Sequence, residues 1–316
     1  MDSDYYINRL INNKTDLIVI LGLTASGKTK FSTQLAYKLN GEIISADSRQ
    51  VYRKLNIGTG KDLNEYIIDN NKIDYHLIDI LEPMEEYNLA RFQQDFNSAF
   101  LKIIKNDKKP ILCGGTGLYI KAILKNFSIP NVSPNKKLRT ELNKLTLEQL
   151  IVHLNKIDAH TDKLIPLDTK RRVIRLIEIA INKSNNDNKS ITRNFKSPFV
   201  LGIEYPRHIL REKITDRLNY RINNGMIEEV ESLISNGNIT YNRLNSLGLE
   251  YRYISQFLRG EFNKNQMLVK LNTAIHQFAK KQMTFYRNME KNGIEINWIS
   301  IDDINNIFNL LNIPQN

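Results

Sequence analysis

The sequence predicts an α/β fold, in which a parallel sheet carries helices on both faces and an all-helical domain is inserted. Three observations support this prediction. Short apolar strands alternate with helical patterns, a glycine-rich loop follows the first strand, and the pattern becomes purely helical after about residue 125. We therefore expect a core built from residues 1–125 and 196–316, with a helical insertion at residues 126–195.

Four short apolar runs in the first part of the chain are typical of buried parallel strands, which are apolar on both faces. They lie at residues 16–21, 42–46, 75–80 and 110–113. Helical patterns separate them, most clearly at residues 89–105. This alternation predicts a doubly wound sheet, because a helix returns the chain to the start of the next parallel strand.

The second part of the chain begins with a different pattern. Residues 133–181 contain only amphipathic helical segments, and the polar stretch at 184–190 predicts an exposed loop. A strand is then predicted at 199–205, long helices at about 207–235 and 263–290, and a last strand at 295–300. We interpret the middle helices as an insertion within one α/β domain.

The composition is typical of a globular protein, with 41% hydrophobic and 25% charged residues among 316. No apolar run approaches the roughly 18 residues of a membrane span, and the polar N-terminus does not resemble a signal peptide. The one cysteine, Cys113, excludes an internal disulfide and a thiolate-rich zinc module. We expect a cytoplasmic enzyme or binding protein that is a monomer and has no membrane partner.

The formal net charge of +11 has two interpretations. It can reflect a lysine- and asparagine-rich composition that favours solubility and nothing more. It can also indicate a surface that binds a polyanion, because residues 170–221 contain 13 lysines and arginines against 5 aspartates and glutamates. Charge alone leaves both interpretations open.

A phosphate-binding motif follows the first predicted strand. The pattern G-x-x-x-x-G-K-[ST] is matched by Gly22, Leu23, Thr24, Ala25, Ser26, Gly27, Lys28 and Thr29. The glycines let backbone N–H groups surround phosphate oxygens, and the N-terminus of the next helix adds partial positive charge. We expect Lys28 to contact the outer phosphate and the Thr29 hydroxyl to help bind Mg²⁺.

This loop by itself indicates a nucleotide-binding NTPase or kinase with a P-loop NTPase-like fold. Two features argue against that function. The strand at 110–113 ends in Gly114-Gly115 rather than in the acid that usually orients the metal, and no second kinase or helicase motif is present. Asp47 and Asp79, which close other predicted strands, are candidates for that acid. The loop thus predicts phosphate binding and leaves the reaction open.

Further motifs accompany the loop in a fixed order. They are Asp47-Ser48-Arg49-Gln50-Val51-Tyr52, Gly114-Gly115-Thr116-Gly117-Leu118-Tyr119, Arg171-Arg172-Val173-Ile174-Arg175, Ala279-Lys280-Lys281-Gln282 and Phe285-Tyr286-Arg287. From about residue 16 to residue 300 this set resembles the tRNA dimethylallyltransferase (isopentenyl-diphosphate:tRNA transferase) family, in its bacterial form without a zinc-finger extension. The Asp47 motif combined with the P-loop is the most specific element.

The resemblance implies a reaction, in which a dimethylallyl group moves from dimethylallyl diphosphate to tRNA. The acceptor is the N6 amine of the adenosine 3′-adjacent to the anticodon, at position 37. Because diphosphate is the leaving group, the P-loop and Mg²⁺ would stabilise the charge that develops on its departure. The adenine amine is a poor nucleophile, since its lone pair is delocalised into the ring, and a general base would assist it.

Asp47, Thr24 and Arg217 are the catalytic residues that the resemblance implies. Asp47 matches the general base, and the alternative is an N-cap for the following helix. Thr24 matches a residue that meets the substrates in the reaction channel. Arg217 matches an arginine near the diphosphate oxygens; the alternative, a surface pair with Lys213 and Arg221, would place three like charges on one helix face.

The resemblance also implies contacts to tRNA, whose target base must leave the anticodon stack. Together with Asp47, the matching positions are Ser48, Arg49, Gln50, Thr116, Arg139, Arg171, Arg172, Val173, Ile174 and Arg175. For the arginines of the insertion the alternative is a solvated charged face. For Thr116 the alternative is a helix cap.

The sequence departs from the family pattern at several positions. Leu23 replaces the usual proline of the loop, Gly60 stands where alanine is common, and Glu250 stands where many members have glycine. The RNA contacts of residues 247–252 are therefore open.

Two other functions remain open from the sequence. One is a transferase that prenylates free adenine nucleotides, which would not need a basic insertion. The other is a P-loop kinase or NTPase that binds nucleic acid through its basic surface.

Overall fold

A computed structural model describes residues 3–11, 14–127, 130, 132, 134–158, 167–182, 194–237 and 239–311. The chain divides into two compact units, Met1–Phe127 with Arg193–Asn316 and Ser128–Thr192. Each unit contains apolar core of its own.

A parallel sheet forms the centre of the first unit. Within the described residues the strands are β1 Leu17–Gly22, β2 Gly41–Ser45, β3 Ile67–Ile68, β4 Asn71–Lys72, β5 Tyr75–His76, β6 Lys109–Gly114, β7 Pro198–Ile203 and β8 Asn297–Ile299. Six of them pair in parallel in the order β5-β2-β6-β1-β7-β8, whereas β3 and β4 form a separate antiparallel pair. The α/β fold class predicted from the sequence is confirmed.

Helices surround the sheet and form the described part of the second unit. They are α1 Ser3–Ile11, α2 Lys28–Lys38, α3 Leu89–Lys105, α4 Gly117–Leu124, α5 Lys136–Asn143, α6 Leu147–Ile157, α7 Lys170–Asn182, α8 Arg207–Asn223, α9 Met226–Ser235, α10 Tyr241–Leu244, α11 Leu249–Leu258, α12 Lys264–Lys291 and α13 Ile301–Leu310. None of the helices in the described ranges combines the length and apolarity needed to cross a membrane.

Alternate side chains of β1 enter two different cores, which explains why helices lie on both faces of the sheet. Leu17, Val19 and Leu21 pack with residues of α3, α8 and α12. Ile18 and Ile20 point the other way and pack with residues of α1, α2 and α13. Because successive side chains of a strand point to opposite faces, a strand covered on both sides needs an uninterrupted apolar run.

The third predicted strand is shorter than its apolar sequence indicates. The strand predicted at residues 75–80 ends at His76, because Leu77 and Asp79 have left-handed φ angles of 64° and 55°. Extended strand geometry requires negative φ, so the chain leaves the sheet there.

The helix predicted at residues 207–235 is two helices, α8 and α9. Gly225 separates them with a φ of 94°, which ends a right-handed helix at little steric cost because glycine has no side chain. By contrast, α3 spans residues 89–105 as predicted.

The described part of the second unit consists of α5, α6 and α7 around a small core. Leu142, Leu150, Leu154, Val173 and Ile177 are buried in that core. A capping box at Thr146 begins α6. The exposed loop predicted at residues 184–190 lies outside the described residues.

Candidate active site

A cavity of about 570 Å³ opens at the carboxyl ends of β1, β2 and β6. The P-loop follows β1, Asp47 follows β2 and Gly115 follows β6, and side chains of α8, α11 and α12 complete the lining. Ligands of open α/β sheets bind at this edge, because the loops after neighbouring parallel strands converge there. All of the lining residues belong to the first unit.

The P-loop leaves polar groups free for an anion. Ala25 and Gly27 have left-handed φ angles of 64° and 72°, a geometry found in anion-binding nests of backbone N–H groups. Ser26 Oγ is buried and has no hydrogen-bond partner among the described residues. Lys28 Nζ lies 3.5 Å from the carbonyl oxygen of Leu23, and burial lowers the pKa of Lys28. A phosphate in the loop would provide the counter-charge that the buried Lys28 ammonium lacks.

Two side chains of α12 hold the P-loop against the loop after β6. The Gln282 side chain accepts a hydrogen bond from the backbone N–H of Thr24 at 3.0 Å and donates to the carbonyl of Gly115 at 2.9 Å. The Tyr286 hydroxyl lies 3.2 Å from the carbonyl oxygen of Gly22 and 3.3 Å from that of Gly115. Both side chains belong to the C-terminal motifs that carry the family resemblance, and the sequence alone predicts no role for them.

Asp47 closes a turn with one carboxylate oxygen and keeps the other available. Oδ1 accepts hydrogen bonds from the backbone N–H groups of Arg49 at 2.8 Å and Gln50 at 3.4 Å. Oδ2 accepts none from the described residues, and Asp47 lines the cavity. The N-cap alternative is wrong, because residues 48–51 form a turn and no helix begins there. The turn contact uses one carboxylate oxygen and leaves the other for a substrate.

Thr116 is tied to the Asp47 turn rather than to the helix that follows it. Its hydroxyl accepts a hydrogen bond from the backbone N–H of Ser48 at 3.1 Å, and its side chain makes no capping bond to α4. Thr116 therefore stands at the N-cap position of α4, as the alternative proposed, but its hydroxyl binds the Asp47 turn and does not cap the helix. Thr116, Ser48, Arg49 and Gln50 all line the cavity.

Arg217 reaches from α8 to the P-loop. Its Nη2 donates a hydrogen bond to Thr24 Oγ1, and burial, reinforced by Arg221, lowers the pKa of Arg217 to about 10. Lys213 instead lies over the ring of Tyr205, 5.0 Å from its centroid. Arg217 and Arg221 both line the cavity, so these residues do not form the surface row considered as an alternative.

Asp79 lies outside the cavity, where it forms an ion pair with Lys61. Its carboxylate accepts a hydrogen bond from the buried ammonium of Lys61, and Asp79 is absent from the residues that line the cavity. Of the two acids considered beside the P-loop, only Asp47 lies in the cavity.

The arginines of the second unit have different surroundings. Arg139 and Arg175 donate to the buried carboxylate of Glu178, at 2.8 Å and 3.2 Å. Arg172 pairs with Asp168 at 2.7 Å. Arg171 is exposed and forms no ion pair within the described part of the chain.

Val173 and Ile174 correct the predicted tRNA-binding segment. Their side chains are 0% and 4% exposed and pack in the core of the second unit. A buried apolar side chain is not available to RNA, so only the arginines of this segment are candidates for contact.

Comparison with known proteins identifies relatives over nearly the whole chain. The model of the IPP transferase family matches residues 50–289. The tRNA dimethylallyltransferase 1 of Azobacteroides pseudotrichonymphae is 44% identical over 302 residues, which cover 94% of this chain and 97% of that one. The tRNA dimethylallyltransferase 2 of Phocaeicola vulgatus is 43% identical over 308 residues, which cover 94% and 98%.

Solved structures of similar proteins share the fold. The full-length tRNA isopentenylpyrophosphate transferase of Bacillus halodurans superposes with a TM-score of 0.66 at 30% identity, over 94% of each chain. A eukaryotic dimethylallyltransferase acting on tRNA superposes with a TM-score of 0.72 at 25% identity, over 90% of this chain and 74% of that one. On the evidence of sequence and fold together, the chain belongs to the IPP transferase family.

Proposed function

We propose that this chain transfers a dimethylallyl group from dimethylallyl diphosphate to the N6 amine of the adenosine at position 37 of tRNA. One observation carries the proposal: the P-loop and the Asp47 carboxylate face the same cavity. Such a transfer needs a site for a charged leaving group and a proton acceptor within the span of one small substrate. The names of the relatives support tRNA as the acceptor and a dimethylallyl compound as the donor.

The P-loop binds the diphosphate end of the donor in this proposal. Lys28 and Arg217, which line the cavity, stabilise the negative charge that develops as the bond between oxygen and the dimethylallyl carbon breaks. Their placement supports this role, because Arg217 donates to Thr24 within the loop.

Mg²⁺ fits the donors present at the end of the P-loop. Thr29 lines the cavity, and the described residues contain no group of three or more His, Cys, Asp or Glu side chains that would hold a metal by themselves. Mg²⁺ usually keeps several waters and binds substrate phosphates, so the Thr29 hydroxyl with diphosphate oxygens is an adequate ligand set. When bound, the ion would neutralise charge on the departing diphosphate.

Asp47 serves the acceptor. The N6 nitrogen forms the new bond to the dimethylallyl carbon, and Oδ2 of Asp47 takes the proton that N6 releases. General-base assistance of this kind contributes about 10²–10⁴-fold to the rate. The electrostatic interaction between Asp47 and Lys28 supports a base close to the leaving-group site.

Transfer RNA is bound by both parts of the chain in this proposal. The core, residues 1–125 and 196–316, binds the extruded base through Ser48, Arg49, Gln50 and Thr116, which line the cavity. The insertion, residues 126–195, binds the RNA backbone through its exposed arginines. These contacts must offset the cost of a few kcal/mol for removing a base from its stack. We expect a monomer that acts in the cytoplasm on its tRNA substrate.

A label-transfer assay tests the function. Purified protein with Mg²⁺ and ¹⁴C-dimethylallyl diphosphate should label an anticodon stem-loop with adenosine at position 37, but not the same stem-loop with guanosine there. Label on free AMP and none on RNA would instead support a transferase for free nucleotides. Rapid ATP hydrolysis without transfer to either acceptor would support the kinase or NTPase alternative.

A further inference from the structure

Arg221 is a buried cation with an unsatisfied hydrogen-bond donor. The residue is 6% exposed, and its Nη2 has no hydrogen-bond partner among the described residues. It forms an ion pair with Asp62, but Nη2 and Oδ2 are 3.6 Å apart, too far for a hydrogen bond. A buried N–H of a charged group is costly without an acceptor, and Arg221 lines the cavity. A ligand with a hydrogen-bond acceptor would satisfy the unpaired Nη2–H of Arg221.

Glycine at position 60 leaves room for the Arg221 guanidinium to pack directly against the backbone of that loop. A Cβ at Gly60 would lie 1.9 Å from Nη2 and 2.8 Å from Cζ of Arg221. The loop around Gly60 is held independently, because Gln50 donates to the Gly60 carbonyl at 2.9 Å and Glu229 accepts the backbone N–H of Ile57 at 2.8 Å. A side chain at position 60 would therefore displace the guanidinium.

Glu250 adds a carboxylate to the same wall of the cavity. It lies in the first turn of α11, lines the cavity with Arg217 and Arg221, and interacts electrostatically with both arginines. Arg217 and Arg221 thus face two carboxylates, Glu250 and Asp62, so the charges on this wall balance. The feature that calls for a ligand is therefore the unsatisfied Nη2 donor of Arg221 and not a net positive charge. Two departures from the family pattern, Gly60 and Glu250, thus lie beside Arg221.

We propose that Arg221 is an additional substrate-binding residue, whose free Nη2–H binds a phosphoryl oxygen of the donor diphosphate. Arg221 follows Arg217 by one helical turn on α8, and Arg217 donates to Thr24 in the P-loop. A diphosphate that begins at the P-loop would therefore extend along the two arginines. The inference rests on the proposed function, because it assumes a diphosphate substrate. The backbone phosphate next to the extruded nucleotide offers the same oxygen chemistry and is the second source to test.

Binding measurements on three variants test the inference. Arg221→Met keeps the length of the side chain and removes the donors. Gly60→Ala keeps every charge and displaces the guanidinium, but it also strains the loop, because Gly60 has a left-handed φ of 66°. Arg221→Met, which leaves the backbone unchanged, is therefore the deciding variant. Arg211→Met, an exposed arginine on the same helix, is the matched control. The two probes are inorganic pyrophosphate with Mg²⁺, followed by calorimetry, and an anticodon stem-loop RNA, followed by fluorescence anisotropy. Circular dichroism checks that each variant is folded.

We expect Arg221→Met and Gly60→Ala to weaken pyrophosphate binding by about 10-fold or more. A loss of this size is typical of one charge-assisted hydrogen bond. The control, Arg211→Met, should bind pyrophosphate as the wild type does. If the two variants lose RNA affinity and keep pyrophosphate affinity, Arg221 binds a phosphate of the RNA. The assignment of Arg221 to the dimethylallyl diphosphate would then be wrong. Unchanged affinity for both probes, with or without a change in stability, would overturn the inference. Failure of the wild type to bind pyrophosphate would instead contradict the proposed function.

Discussion

The Gln282 side chain accepts a hydrogen bond from the backbone N–H of Thr24 at 3.0 Å, across 258 positions of the sequence. The same amide donates to the carbonyl of Gly115 at 2.9 Å. One buried side chain of α12 therefore fixes the separation between the P-loop and the loop after β6. Since a phosphate site works through the direction of its N–H groups, this separation affects both stability and diphosphate binding.

Replacing Gln282 with methionine removes both hydrogen bonds at nearly constant volume. The Thr24 N–H and the Gly115 carbonyl lose their partners, and we expect a loss of about 1–3 kcal/mol in the free energy of unfolding. We also expect a several-fold weaker affinity for pyrophosphate, measured by calorimetry beside urea unfolding. Gln277→Met, at an exposed position of the same helix, is the control and should change neither quantity. Wild-type pyrophosphate affinity in Gln282→Met would show that the separation of the loops does not matter for binding.

Asp47 allows its structural and chemical roles to be separated by two substitutions. An asparagine at this position would keep an oxygen to accept the N–H of Arg49 and would lose the basic carboxylate. We expect Asp47→Asn to lower kcat by about 10²–10⁴-fold with stability and tRNA affinity nearly unchanged. Asp47→Ala should show the same loss of kcat and, in addition, a loss of about 1 kcal/mol in stability, because the turn loses its acceptor. Single-turnover transfer and urea unfolding measure the two effects. A kcat in Asp47→Asn within a few-fold of the wild type would exclude Asp47 as the base.

Local sequence signals were sufficient to predict which groups lie at the carboxyl edge of the sheet. They did not predict the contacts between residues far apart in the sequence. The P-loop and Asp47 each follow an apolar strand, so their placement at the carboxyl edge of the sheet follows from topology. The contact of Gln282 with Thr24 and the approach of Arg221 to Gly60 depend on how α8 and α12 pack, which periodicity does not encode.

The two errors in element boundaries have a similar cause. Apolar residues continued beyond His76, but a hydrophobic pattern carries no information on the left-handed φ of Leu77. The break between α8 and α9 had a local signal, because glycine at position 225 is a common helix terminator, and the amphipathic pattern on both sides obscured it. The pairing of Arg139 with the buried Glu178 was likewise not predictable, since it depends on how α5 packs against α7.

Glu65 predicts a pH-dependent stability. Burial, with a contribution from the charge of Asp62, raises the pKa of Glu65 to about 7, against 4.5 as its ordinary value. Between pH 4.5 and about pH 7 the carboxyl is ionised in the unfolded chain but still protonated in the folded protein. The free energy of unfolding therefore falls as pH rises through this window, and the whole loss of stability persists above about pH 7. Glu65→Gln, which stays neutral, should therefore be more stable than the wild type at pH 8, and the difference should shrink toward pH 5. Thermal unfolding at both pH values measures this.

The control for this prediction is Glu228→Gln, at an exposed position of α9. Its melting temperature should differ from that of the wild type by a similar small amount at both pH values. A stability difference for Glu65→Gln that is constant from pH 5 to pH 8 would contradict a raised pKa at this carboxyl.

Arg139 and Arg171 should differ in what their loss does, although both were predicted to bind tRNA. Arg139 forms two hydrogen bonds with the buried Glu178, at 2.8 Å and 2.9 Å, whereas Arg171 is exposed. We expect Arg139→Ala to destabilise the protein by more than about 1 kcal/mol, because it leaves a buried carboxylate with fewer donors. We expect Arg171→Ala to change stability by less than about 0.5 kcal/mol. It should nevertheless weaken stem-loop binding and reduce the slope of log affinity against log salt by about 0.7–0.9, the contribution of one phosphate contact.

Urea unfolding and anisotropy titrations from about 50 to 200 mM salt distinguish these outcomes. Arg139→Lys retains the charge but not the bidentate geometry, so a structural role predicts a partial loss of stability in that variant and little change in the salt slope. If Arg139→Ala keeps wild-type stability and reduces the salt slope as Arg171→Ala does, its guanidinium contacts RNA and the pair with Glu178 is incidental. If neither substitution changes the salt slope, this part of the insertion is a solvated surface, and the tRNA contacts lie elsewhere on the chain.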